Sequence, residues 1–154
     1  METGHERQWE WLTTAAAVFL VANLVHGADH VRQDFAGFTW AVMLGGALLT
    51  FQAIVVFVYA RRHHPHTAML ATVVGFSAAV LVSAAHIAPH WSVLSDSYTN
   101  QISADALSWV VMLAEVIAGF ALGWVGLIAW ISSRESPPAS APPRTPSPGS
   151  PSAG

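Results

Sequence analysis

The chain has 154 residues, 53% hydrophobic and only 10% charged, whereas a soluble domain carries roughly 25% charged residues. With a mean hydropathy of +0.46, that deficit argues against an ordinary soluble enzyme. A formal charge of -3 gives no basic footprint for nucleic acid, and the absence of cysteine removes disulfides, thiolate metal sites and thiol nucleophiles.

A membrane-spanning helix needs about 20 mostly apolar residues to cross roughly 30 Å of hydrocarbon, and its backbone must satisfy its own hydrogen bonds. Four stretches meet that length. The predicted architecture is an all-α integral membrane protein. It comprises a short cytoplasmic N-terminus over residues 1–8, a four-helix bundle over 9–133, and a disordered Pro/Ser-rich tail over 134–154.

The first span is expected over residues 9–30. Glu2, Glu6 and Glu10 outnumber Arg7 before it, which is not the basic flank of a cleaved signal peptide. It ends in NLVHGADH. His26 and His30 are four residues apart and share one helix face. Asn23 lies one turn deeper, and Asp29 is offset by one position.

The second span is expected over residues 38–59, with Gly45 and Gly46 thinning it. Arg61 and Arg62 follow, with His63, His64 and His66 in a loop that reads as solvated. The third span is expected over residues 67–86 and ends in SAAHIAPHW. His86 and His90 repeat the four-residue spacing, with Ser83 one turn deeper. Pro89 clashes with a helical carbonyl four residues back, so it is expected to kink or end the helix and to leave His90 on a loop. Ser95, Asp96, Ser97 and Tyr98 follow and could border an aqueous opening.

The fourth span, over residues 107–131, holds one charge, Glu115, roughly 10 Å deep if the helix enters hydrocarbon near Ser108. Gly119, Gly123 and Gly126 permit close helix approach, for packing within the bundle or for a dimer. From Ser136 onward the composition turns to proline and serine, which cannot bury apolar surface.

Arg7, Arg61, Arg62 and Arg134 place both termini inside by the positive-inside rule, with Arg32 the one dissenting vote. The expected setting is the cytoplasmic membrane of a prokaryote. Spans one and three then end at the same, extracytoplasmic face, where span four enters. Ionisable groups are costly in lipid, so His26, His86 and Glu115 should face the bundle interior at one level.

Imidazole and carboxylate suit zinc, copper and non-haem iron. The candidate ligands are His26, His30, His86, His90, Asp29 and Glu115, with Asn23, Ser83 and Asp96 as supporting hydrogen-bond partners. Glu115 also reads as a proton carrier. Such a site would serve redox chemistry, metal-assisted hydrolysis or metal handling. Two other readings stay open. His26 and His86 could ligate a b-type haem axially, or the bundle is a non-catalytic subunit whose cluster is structural or relays protons. The lipid bilayer is the expected partner, with a second membrane protein or a further copy of the chain as candidates and no nucleic acid. No G-x-S-x-G, P-loop, H-E-x-x-H or nucleotide fingerprint is present, so the sequence names no reaction.

Overall fold

The computed structural model describes residues 4–34, 39–100 and 104–135. The predicted tail from Ser136 onward lies outside them. The described residues form four long helices: α1 (Gly4–Arg32), α2 (Trp40–Arg61), α3 (Thr67–His86) and α4 (Ala106–Glu135). All four are long and apolar enough to cross a membrane. Each covers one of the apolar runs. The first helix extends beyond its expected span at both ends and the fourth chiefly at its C-terminal end.

Local chemistry sets the helix ends. Thr39 has extended backbone, and its Oγ1 accepts the Val42 N–H at 3.2 Å, an N-cap for α2. His63 turns the chain toward α3 with a φ of 52°. At the start of α4, the Asp105 carboxylate accepts the Ser108 N–H at 3.1 Å. α3 ends at His86, three residues before Pro89. Pro89 has no N–H to offer Ala85, and the Ala85 carbonyl instead accepts the N–H of Asp96 at 2.9 Å. That bond folds the α3–α4 connection back over the end of the bundle, where Tyr98–Asn100 form a short 3-10 turn.

The helices alternate in direction. Gln8 near the start of α1 donates to the Ala129 carbonyl near the end of α4 at 3.0 Å. At the opposite end, Arg32 of α1 reaches Asp105 before α4 at 3.0 Å. α3 and α4 meet along a glycine seam. A Cβ at Gly75 would lie 2.3 Å from the Gly123 nitrogen and 2.6 Å from the Gly119 carbonyl. One at Gly126 would lie 2.6 Å from the Thr72 nitrogen. The glycines of α4 are thus used inside the bundle, one of the two uses read from the sequence.

The core joins Leu12, Ala16 and Phe19 of α1 to Val56, Val74 and Leu122. Outward faces are apolar as well. Val21, Leu44, Phe51, Val80, Ile117 and Trp124 are each more than half exposed. A helix that is apolar on all sides suits lipid contact.

Candidate metal centre

The histidines of α1 and α3 meet between helices. His26 and His30 project from one face of α1 toward His86, the last residue of α3. Ring centroids are 4.6 Å apart for His26 and His30, 4.9 Å for His26 and His86, and 5.3 Å for His30 and His86. All three are buried, and one ligating nitrogen from each lies within 4.8 Å of the others.

Oxygen acceptors hold these rings from behind. The His26 Nδ1 meets the Glu115 carboxylate in a buried hydrogen bond. The other Glu115 oxygen accepts from Asn23 Nδ2 at 2.8 Å, and Asn23 Oδ1 accepts from the Thr50 hydroxyl at 2.7 Å. Glu115 is therefore tied to α1 directly and to α2 through Asn23. The connection after α3 supplies the rest. His86 Nδ1 donates to the Asp96 carbonyl at 2.9 Å. The Asp96 carboxylate lies 3.5 Å from His86 Nδ1 and 3.7 Å from His30 Nδ1.

Tyr98 closes the cluster, with its hydroxyl 3.1 Å from His26 Nε2. Burial pushes the Tyr98 phenol above its usual range, so it remains protonated and donates. A His26 that donates from Nδ1 to Glu115 carries its lone pair on Nε2, facing Tyr98. His86 is set the same way by the Asp96 carbonyl. A hydrogen bond at one ring nitrogen fixes which nitrogen is left to coordinate.

Three expected ligands do not join the group, and Glu115, the first, instead holds the His26 Nδ1. His90 is exposed beyond the end of α3. The four-residue spacing brings two histidines together only on a continuous helix, and this helix stops at His86. Asp29 is buried but turned toward the start of α4, since one position along a helix rotates a side chain by roughly 100°. Its oxygens accept from Arg32 Nε at 2.7 Å and Gln33 Nε2 at 2.6 Å. Gln33 also reaches the Ser108 hydroxyl at 3.0 Å. Asp29 therefore braces α1 against α4. Ser83 gives its carbonyl to the Ile87 N–H. Asn23 and Asp96 do stand as supporting groups.

Thr50 and Gln33 escaped the sequence reading. The signal for Thr50 was a hydroxyl inside an apolar run. At the opposite end of the bundle, His63 stacks on Trp9 at 4.8 Å and His64 lies 4.2 Å from Tyr59. Among the described residues, only His26, His30 and His86 form a group able to hold a metal. No family model matches the chain, and no curated protein or solved structure matches it.

Proposed function

We propose that the chain is an integral membrane protein that holds a transition-metal ion on the Nε2 atoms of His26, His30 and His86. The observation behind this reading is the convergence of three buried imidazoles within 4.8 Å. Burying three polar rings side by side is costly unless their polar atoms are used, and metal coordination uses them together. Three histidines with a further position open to water or substrate match a catalytic zinc site, and imidazole equally suits copper and iron. Glu115 and the Asp96 carbonyl would orient two of the rings, and the Tyr98 hydroxyl, 3.1 Å from His26 Nε2, would stand beside the metal. This set favours metal-assisted chemistry over simple structural binding, because a structural zinc site closes all four positions with protein ligands.

The haem reading fares worse. A b-type haem needs a flat slot between its two axial histidines, and His30 stands 4.6 Å from His26 and 5.3 Å from His86. The arginine bias of the sequence supports an extracytoplasmic position for the cluster. Arg32, which pairs with Asp29 and Asp105, remains the one dissenting vote.

The test is metal content. Protein purified without a His-tag should carry close to one zinc, copper or iron per chain by elemental mass spectrometry, lost in His86→Ala. Folded protein that stays metal-free after reconstitution would overturn the proposal. The line Tyr98–His26–Glu115–Asn23–Thr50 would then favour proton handling, read as proton flux into liposomes that Glu115→Gln abolishes.

A further inference from the structure

Beside the three imidazoles lies a cavity of about 470 Å³, within the roughly 300–1,000 Å³ of small-molecule sites. One end is polar, where His26, His30, His86 and Glu115 reach it beside Asn23 and Thr50. Most of the rest is walled by apolar residues of α2 and α3, with Gln52 of α2 and Trp91 and Leu94 of the connection after α3. Gly45 and Gly46 thin the α2 wall, and a Cβ added at either meets nothing within 4 Å. The exposed residues around the cavity include Met43 and Leu48 of α2 and Leu81 of α3, each more than half exposed. The mouth thus lies on the apolar flank of the bundle, between α2 and α3. A solute dissolved in the bilayer reaches such a mouth without leaving lipid.

We propose that this cavity takes a single-chain alcohol from the bilayer, with its tail between α2 and α3 and its hydroxyl at the imidazole cluster. The gradient of the lining sets the class: an apolar body with one small polar end. The charge of the lining sets the head group. Glu115 stands at the polar end, so an anionic head would meet its carboxylate, whereas a hydroxyl can donate to an imidazole lone pair. A hydroxyl also suits the open position of a metal. This inference builds on the membrane-inserted metal site proposed above, but the cavity can be tested apart from the metal.

The probe is dodecanol carrying a photoactivatable diazirine at its tail, added to the full chain in phospholipid vesicles. Cross-linked peptides are read by mass spectrometry, and metal content is measured on the same samples. Cross-links should concentrate on the cavity-facing residues of α2 and α3. Unlabelled dodecanol should compete, and dodecane should not. Gly46→Leu fills the cavity from one wall and Leu81→Trp from the other, and each should lower the labelling severalfold with metal content unchanged. Labelling spread evenly over the outward faces of all four helices overturns the proposal, as does labelling unchanged in both variants or competed equally by dodecane. Cavity labelling in a chain that holds no metal keeps the alcohol site and removes the metal. Metal-loaded chain with even labelling does the reverse.

Discussion

Glu115 of α4 and His26 of α1 are 89 positions apart in sequence and share a buried hydrogen bond inside the bundle. The carboxylate holds the His26 Nδ1 and leaves Nε2 toward Tyr98. Groups that orient a ligand in this way typically contribute 10–100-fold to metal affinity. Glu115→Gln keeps the shape and removes the charge, so it should weaken metal binding by about 10–100-fold in competition with a chromophoric chelator. Glu115→Ala should also lower stability, because Asn23 and His26 lose their acceptor at about 1–3 kcal/mol per orphaned group. Unchanged affinity in Glu115→Gln would show that the carboxylate does not orient the ring.

His30 and His90 separate the observed cluster from the spacing pattern that led to it. His30 is buried 4.6 Å from the His26 ring, while His90 is exposed past the end of α3. His30→Ala should reduce the bound metal to background, and His90→Ala should leave the stoichiometry at the wild-type value. Equal loss in both variants would mean that the site forms from a different set of residues.

The burial of His26, His86 and Glu115 was legible because an ionisable group in an apolar span must face inward. Their meeting was legible too, since alternating helices bring the ends of α1 and α3 and the start of α4 together. The failure at His90 follows from Pro89, whose effect on the helix could be read but not the path taken after it. That path rests on a bond between Asp96 and Ala85, eleven residues apart with nothing periodic to announce it. Tyr98 therefore reads only as a loop residue near an opening, and Asp96 as a supporting group with no named partner, although they meet His26 and His86. Asp29 was misplaced for a different reason. It neighbours His30 in sequence, but one helix position turns its side chain by roughly 100°, toward Arg32 and Gln33.

Glycines divide into seam and cavity. At Gly75 an added Cβ would press on the Gly123 nitrogen and Gly119 carbonyl, backbone atoms that yield only if α3 and α4 separate. Overpacking of this kind costs about 1–3 kcal/mol. Gly75→Ala should therefore lower the thermal unfolding temperature in detergent. Gly46→Ala adds a Cβ to open space on a helix, where alanine is favoured over glycine by roughly 1 kcal/mol, so it should hold or raise that temperature. The same response at both positions would show that the seam does not hold the helices together.

Asp105 ties the start of α4 to the end of α1. The Ser108 backbone N–H and the Arg32 guanidinium hold its carboxyl below the usual carboxylate range. A folded-state pKa below the unfolded value means that the folded chain binds the proton less readily. The stabilisation is then complete above the ordinary carboxylate pKa and disappears as pH falls through the lowered one. Asn caps a helix about as well as Asp, so Asp105→Asn removes the charge and keeps the cap. The variant should be less stable than wild type at neutral pH, and the gap should close on acidification. Half of the Asp105 side chain is exposed at 53%, so the gap should be small and shrink with added salt. Unfolding temperatures of both proteins across an acid-to-neutral series, at low and high salt, check this. A gap that stays constant down to the acid limit would assign the role of Asp105 to its hydrogen-bond geometry and not to its charge.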